Sequence, residues 1–404
     1  MSENETKIAS GYRFAGVHCG LKADGVADLA LIVSEAPAVM AATFTRNRFP
    51  AAPVVYGRRQ LELHTPVRAV LVNAGNANAC TGRQGEIDVM TTVEVLASVL
   101  KIDRDEIFVS STGVIGEPFP VTTVLKGIEA LAEGIAADTS ASSGALEAAA
   151  RAIMTTDQVP KIAASTVMTS QGPVTVTGIA KGAGMIHPDM ATMLAYLLCD
   201  VEIGEKEWRE MLSRVVDLSF NRISVDGDTS TNDTVLALAN GASGCRLESE
   251  SELAALETGL LEVARQLAYM IVKDGEGATK VVTVRVVGAA DRPAAEKVAR
   301  AVANSALVKT AFFGQDANWG RIVAAVGYAG VEIDSDRVNI DFDQVRVVSN
   351  GVRDPRYRES DGAAVLKEAE FVVKIDLNQG DGDFSLLTSD LTHDYISINA
   401  DYRS

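Results

Sequence analysis

The segment Lys181-Gly-Ala-Gly-Met-Ile-His-Pro-Asp-Met-Ala-Thr-Met-Leu194 joins two short apolar runs, and its reading decides how the chain is built. Upstream, Val174 to Ile179 reads as a strand. Downstream, Met193 to Cys199 is continuously apolar and stops at Asp200. Periodicity alone leaves that run open between strand and buried helix; its shortness favours a strand. Between the two, Gly182 and Gly184 free the backbone just after a lysine, and Pro188 fixes it again beside His187. Small Ala191 then precedes Thr192. A threonine hydroxyl is a poor nucleophile without a base beside it, and cutting the chain at Ala191–Thr192 would make the α-amine of Thr192 that base. Such an amine titrates at about 7.7–8.0, whereas a lysine stays mostly protonated at neutral pH. The segment therefore reads as a self-cleaving loop that creates an N-terminal threonine nucleophile. His187 is the rival base, but a lone loop histidine is more often packed or solvated, and no Ser-His-Asp ordering is visible.

Outward from this segment, strands and helices alternate. Leu29 to Val33 and Val67 to Val72 read as buried strands, the second running into the loop Asn73-Ala-Gly-Asn-Ala-Asn-Ala-Cys-Thr-Gly82. Asp88 to Leu100 reads as a helix, and Ile107 to Ser111 as a strand ending at Thr112-Gly113. An alanine-rich helix over Ser143 to Met154 breaks at Thr155-Thr-Asp-Gln-Val-Pro160. Trp208, Met211, Leu212, Val215 and Val216 recur at helical spacing and mark an amphipathic helix, and a further helix covers Glu250 to Ile271. From Val281 onward strands alternate with helices near Pro293–Asn304 and Ala363–Lys367. Glu370–Asn378 and Phe384–Thr388, joined by Gln379-Gly-Asp-Gly-Asp383, read as a hairpin, and Tyr395–Ile398 as a last strand. The expectation is a mixed α/β fold of two or three domains, with a C-terminal α/β subdomain over residues 281–404.

Composition narrows the partners. The chain has 47% hydrophobic and 23% charged residues, the balance of a soluble globular protein. A formal charge of −17 argues against nucleic acid or an anionic membrane. An anionic small substrate would need a local cation, and Lys161, Lys181 and Lys280 stand near candidate loops. Cys19, Cys80, Cys199 and Cys245 are scattered without a CxxC, which argues against a disulfide framework and a structural zinc site. The polar N-terminus has no apolar core and no apolar stretch reaches the ~20 residues a membrane span needs, so a cytoplasmic protein is expected.

Three further loops carry chemistry. Ser110-Ser-Thr-Gly-Val-Ile-Gly116 could aim a hydroxyl and a backbone N–H at a developing oxyanion, or be an ordinary strand-to-helix turn. Asp226-Gly-Asp-Thr-Ser-Thr-Asn-Asp233 invites a calcium reading but fails the EF-hand pattern, since Thr231 and Ala237 stand where glycine and glutamate are needed; a packed loop is expected and no metal is assigned, with magnesium an open but unsupported alternative. Asp274-Gly-Glu-Gly-Ala-Thr-Lys280 sets Glu276 between glycines, where its carboxylate can approach a ligand or simply be solvated. There is no GxxxxGK[ST] and no strand-to-helix GxGxxG, so nucleotide phosphates have no evident cradle.

Together these blocks resemble the ornithine acetyltransferase (glutamate N-acetyltransferase) family of arginine biosynthesis, nearly end to end. The resemblance rests on Gly11-Tyr-Arg-Phe-Ala-Gly16, Asn73-Ala-Gly-Asn-Ala-Asn78, Ser111-Thr-Gly-Val-Ile-Gly116 and Met154-Thr-Thr-Asp157. It extends through Lys181-Gly-Ala-Gly-Met185, Met190-Ala-Thr-Met-Leu194, Ser224-Val-Asp-Gly-Asp-Thr-Ser-Thr-Asn-Asp233, Asp274-Gly-Glu-Gly-Ala-Thr-Lys280 and Asn399-Ala-Asp-Tyr-Arg-Ser404. It implies a layered α/β fold like that of N-terminal nucleophile hydrolases, with different connectivity. It also implies self-cleavage at Ala191–Thr192 into an α chain 1–191 and a β chain 192–404, whose part 192–280 carries the nucleophile, assembled as an α2β2 heterotetramer. In that family Thr192 is the nucleophile, Thr112 and Gly113 form the oxyanion hole, and Thr155, Lys181, Thr192, Glu276, Asn399 and Ser404 bind substrate. The implied reaction moves acetyl from N2-acetyl-L-ornithine to L-glutamate by ping-pong transfer, without a cofactor, with acetyl-CoA a second donor in bifunctional members. Lys181 would meet a substrate carboxylate and Glu276 an ammonium. From the residues alone, a self-cleaving aminopeptidase or amidase using water, and an uncleaved binding protein, stay open.

Overall fold

The computed structural model describes residues 7–23, 25–137, 142–187 and 193–401. Ala191, Thr192 and Ser404 lie outside the described residues. Chain order gives β1 (Tyr12–Val17), β2 (Leu29–Phe44), β3 (Val67–Asn76), β4 (Ile107–Val114), β5 (Lys161–Thr169), β6 (Gly172–Lys181) and β7 (Leu194–Cys199), then β8 (Ile223–Ser224) and β9 (Thr234–Ala239). All but β8 form an eight-stranded mixed sheet in the order β4-β3-β2-β9-β7-β6-β5, with β1 added on β2. The first run after the opening segment is thus a strand, as its shortness suggested.

β2 is the spine of this sheet. Its first half pairs with β1 and β3 and its second half with β9, and the register slips between Val33 and Ala38. Pro37 sits in the slip, where a missing N–H breaks no ladder bond. The two half-sheets share one core, in which Ile32, Val70 and Val72 of the first meet Tyr196, Leu198 and Leu236 of the second. The Tyr12 hydroxyl reaches from one half to the other, 3.1 Å from the Cys199 carbonyl and 3.0 Å from that of Leu238.

Helices pack around this sheet. In chain order they are α1 (Ala52–Leu63), α2 (Gly82–Leu100), α3 (Val121–Ala137), α4 (Ser143–Ala152), α5 (Glu205–Asp217) and α6 (Glu250–Lys273). Of these, α4 enters the shared core through Leu146, Ala149 and Ala150. Val93 and Leu96 of α2 and Ile128 and Leu131 of α3 cover Leu29, Leu31 and Leu71 on one outer face. Trp208, Leu212 and Val215 of α5 and Val263 and Leu267 of α6 cover Val176, Leu197 and Val235 on the other. The layering is helix, half-sheet, half-sheet, helix. It explains why every residue of β7 is buried: alternate side chains serve different cores, so the strand reads as an unbroken apolar run.

The second sheet contains β10 (Val281–Ala289), β11 (Asn339–Phe342), β12 (Val345–Ser349), β13 (Val352–Arg353), β14 (Glu370–Asp376) and β15 (Gly382–Ser389). Its order is β13-β12-β11-β14-β10-β15-β8, so β8 ties it back to the layered part. α7 (Arg292–Ala303), α8 (Ala306–Phe313), α9 (Trp319–Gly327) and α10 (Glu359–Lys367) accompany it. Val282, Val284 and Val286 pack there on Val298, Val302, Phe312 and Ile322. α11 (His393–Asp401) ends the described chain. Among the described residues no helix is long and apolar enough to cross a membrane.

Two expectations are corrected. The Glu370–Thr388 hairpin does not form, because β10 lies between its two strands, parallel to β14 and antiparallel to β15. The glycine-rich turn instead passes over the end of β10, where Leu377 N–H donates to the Val287 carbonyl and Gly380 N–H to that of Gly288. Turn chemistry fixes a reversal of direction, not which strand is the neighbour. Tyr395–Ile398 is helix rather than strand. Thr392 Oγ1 accepts the Tyr395 N–H at 3.2 Å ahead of the first turn, and capping outweighs the strand preference of Tyr395, Ile396 and Ile398.

Candidate functional site

The parallel pair β3–β4 ends in an irregular register around Asn76, and this places Thr112 and Gly113 at the mouth of a pocket. Gly113 has φ +129, and a Cβ there would stand 2.3 Å from the Gly75 carbonyl carbon, so the position admits only glycine. Asn232 holds this strand end from below: its Nδ2 donates to the Ala77 carbonyl at 2.7 Å and the Ser111 carbonyl at 2.8 Å.

From the second half-sheet, the last residue of β6, Lys181, enters the same pocket. Its side chain is buried, and Nζ donates to Thr112 Oγ1 at 3.2 Å. Burial pulls the Lys181 ammonium below its ordinary range, with Asp157 working in the opposite direction. Because Thr112 accepts from the lysine, its own hydroxyl proton is left to donate into the pocket.

Behind Lys181 lies a saturated ionic cluster. Lys161, the first residue of β5, is fully buried and reaches Asp157 Oδ1 at 2.7 Å and Asp274 Oδ2 at 2.6 Å. Asp157 also accepts the Gly182 N–H at 2.6 Å and the Thr155 N–H at 3.0 Å. Burial raises its pKa, but Lys181 and Lys161 overcompensate and hold it at about 2. The cluster fixes Thr155 beside the pocket and ties this loop to the C-terminal end of α6.

The turn after α6 supplies Glu276, and Gly184 is what lets it in: a Cβ on Gly184 would stand 2.4 Å from the Glu276 carboxylate. Asn399 of α11 donates to Glu276 Oε2 at 2.7 Å. Thr112, Gly113, Thr155, Lys181, Glu276 and Asn399 therefore line one pocket of about 540 Å³ counted with its open mouth, together with Ser230, Asn232 and Met185. Six positions proposed from sequence converge from five separate stretches of chain. Lys280 does not join them, since its Nζ turns away to the Glu368 carbonyl at 2.9 Å. His187 packs with Nδ1 at 3.3 Å from Asn304 Nδ2. Among the described residues no group of three His, Cys, Asp or Glu side chains could hold a metal ion.

Sequence reasoning assigned no role to Asp157, Asp226, Asp233, Ser230 or Asn232. Asp157 carried a signal, since it lies two residues from Thr155 inside a quoted block. Asp226 and Asp233 bound the loop read as merely packed.

A layered α/β protein with a small polar pocket, furnished by a hydroxyl, a buried ammonium and a buried carboxylate, is the class that fold and site define. The sequence profile of the ArgJ family matches residues 13–404. The arginine biosynthesis bifunctional protein ArgJ of Geobacter sulfurreducens is 48% identical over 396 residues, covering 98% of this chain and 99% of that one. This chain belongs to the ArgJ family. Among solved structures, that of the arginine biosynthesis bifunctional protein ArgJ from Bacillus halodurans is 38% identical with a TM-score of 0.49, covering 51% of this chain and 98% of that one. An ornithine acetyltransferase complexed with ornithine, from Mycobacterium tuberculosis, is 39% identical with a TM-score of 0.41, covering 46% and 94%.

Proposed function

We propose that this chain is a self-cleaving glutamate N-acetyltransferase of arginine biosynthesis, carrying acetyl from N2-acetyl-L-ornithine to L-glutamate on Thr192. The observation that supports this reading is the meeting of Thr112, Gly113, Lys181 and Glu276 in one pocket at the ends of β4 and β6. β7 begins two residues after Thr192, beside β6.

In this reading the Thr192 α-amine takes the hydroxyl proton as Oγ bonds to the acetyl carbonyl carbon. The Thr112 hydroxyl and Gly113 N–H receive the oxyanion, a type of contact worth about 2.7–4 kcal/mol per donor. The C–N bond then breaks, the ornithine nitrogen takes the proton from the Thr192 ammonium, and an acetyl ester remains on Oγ. The glutamate amine attacks that ester and passes its proton to the Thr192 amine. Oγ leaves with that proton, and N-acetylglutamate is released. Glu276, with one oxygen already accepting from Asn399, offers the other to a substrate ammonium. Lys181 reinforces Thr112 and lies within reach of a substrate carboxylate.

The relatives' description as bifunctional supports acetyl-CoA as a second acetyl donor. The mature enzyme is proposed to be a cytoplasmic α2β2 assembly of chains 1–191 and 192–404. The test combines two assays. Denaturing electrophoresis of the wild type shows two fragments and of Thr192→Ala one full-length band. Consumption of N2-acetylornithine requires glutamate; equal consumption in its absence, with water as acceptor, overturns the transferase reading.

A further inference from the structure

The loop Asp226–Asp233 holds both flanks of the segment that joins β6 to β7. Upstream, Asp226 Oδ2 accepts the Met185 N–H at 2.6 Å and Oδ1 the Ile186 N–H at 2.9 Å. The Ile186 carbonyl accepts the Val225 N–H at 2.8 Å and the Ser224 hydroxyl at 3.2 Å. Met185 is bent into the left-handed region at φ 57, a strained conformation that persists only where its surroundings over-determine it. Downstream, Asp233 Oδ1 accepts the Met193 N–H at 3.1 Å, and Thr234 N–H donates to the Met193 carbonyl at 3.1 Å. Asp233 is fully buried, and its Oδ2 has no hydrogen-bond partner among the described residues. Burying a carboxylate oxygen unpaired in this way is unfavourable, so the fold keeps Asp233 against its own stability. Burial raises Asp226 to about 6 and Asp233 well above the carboxylate range.

We propose that Asp226 and Asp233 are the positioning residues of self-cleavage, fixing the backbone on either side of residues 188–192 so that the Ala191–Thr192 bond is presented to the Thr192 hydroxyl. The proposal rests on the reading of Ala191–Thr192 as the cleavage site. Cleavage needs Oγ to bond to the Ala191 carbonyl carbon and the C–N bond to break, with the hydroxyl proton passing to the new amine. Water then hydrolyses the resulting ester and restores the hydroxyl. The first step is intramolecular, and its rate depends on how narrowly attacking and attacked atoms are confined. Ile186 on one side of the cleavage site and Met193 on the other are both held by this loop. One loop does both, so the two pins keep a fixed separation.

The chemistry of the two pins differs, and the difference supplies the test. Asp233 needs one oxygen for the Met193 amide, so Asp233→Asn keeps that acceptor. Asp226 uses both oxygens on amides, so Asp226→Asn turns an N–H toward an N–H. Purified full-length precursor of wild type, Asp226→Asn, Asp233→Asn, Asp226→Ala and Asp233→Ala is followed by denaturing electrophoresis over time, with Tm measured alongside. The expected result is cleavage slowed at least ~10-fold in both alanine variants and in Asp226→Asn, but near wild type in Asp233→Asn. A merely structural loop would make cleavage follow Tm across all four. Wild-type rates in the alanine variants, or the opposite order of the asparagine variants, overturn the proposal; if an alanine variant does not fold, the asparagine pair decides. An uncleaved wild type instead removes the underlying reading of Ala191–Thr192.

Discussion

Two buried lysines stand on neighbouring strands, and the chain uses them in opposite ways. Lys161 on β5 pairs in register with Ala180, the residue before Lys181 on β6. Lys161 is saturated by two carboxylates at 2.7 and 2.6 Å and by the Val159 carbonyl at 3.5 Å. Lys181 donates at 3.2 Å to a hydroxyl, and its pocket wall carries Glu276 beyond. Burial is the same; the number of counter-charges in contact is not. A lysine closed by carboxylates has no donor left for a ligand and serves as a clamp. One partnered by a hydroxyl keeps donors for chemistry. In this chain the clamp region should therefore govern stability and the pocket region turnover.

The strongest way to break that contrast is Lys161→Met. It leaves Asp157 and Asp274 buried with one cation removed, an arrangement that costs about 3–5 kcal/mol. Denaturant unfolding at pH 7 should show the loss, while kcat of the remaining folded protein stays near wild type. Acid titration sharpens the point. Asp157 is held at about 2, below its ordinary 3.8, so its contribution is present above that ordinary value and is lost as pH falls toward 2. In Lys161→Met its folded pKa moves up, and this acid limb shrinks. An unchanged unfolding midpoint and acid limb would remove the clamp from the account.

Thr112→Val tests the other side. It keeps the shape and removes the hydroxyl that accepts from Lys181, leaving the carboxylates around that lysine in place. The expected outcome is a fall in kcat of about 10²–10³ with a smaller loss of Tm than in Lys161→Met. A kcat within about threefold of wild type would mean that the Lys181–Thr112 pair is structural after all.

Much of the layered part was legible because its periodicities are clean. Trp208, Met211, Leu212, Val215 and Val216 are the buried stripe of α5. The run ending at Cys199 is a strand with both faces covered. What was illegible depends on who sits beside whom. The Phe384–Thr388 strand carries the alternation of a hairpin partner, yet pairs with β10, and no local residue encodes that choice. The α11 region was misread because a single cap at Thr392 outweighs three strand-favouring residues, Tyr395, Ile396 and Ile398. At the site, residue types pointed to Glu276 through its flanking glycines, though the glycine that makes room for it is Gly184, far away in sequence. Asp157 escaped notice because its importance lies in facing Lys161 and Lys181 together.

The smallest expected effect comes from Asn399, where the pocket meets α11. That helix contains no buried residue, so its side chains contribute little to global stability. Asn399 Nδ2 nevertheless donates to Glu276 Oε2 at 2.7 Å and so orients the carboxylate proposed above to meet a substrate ammonium. Asn399→Ala removes one hydrogen bond to a charged acceptor, worth about 1.5–3 kcal/mol at most where fully buried and less at a pocket edge. A rise in KM of about tenfold is expected, with kcat and Tm close to wild type. Asn399→Asp should be worse, because it sets a second negative charge against the buried Glu276 carboxylate. If both variants bind substrate as the wild type does, Glu276 is oriented by the Gly184 gap alone, and α11 belongs with the clamp rather than with the pocket.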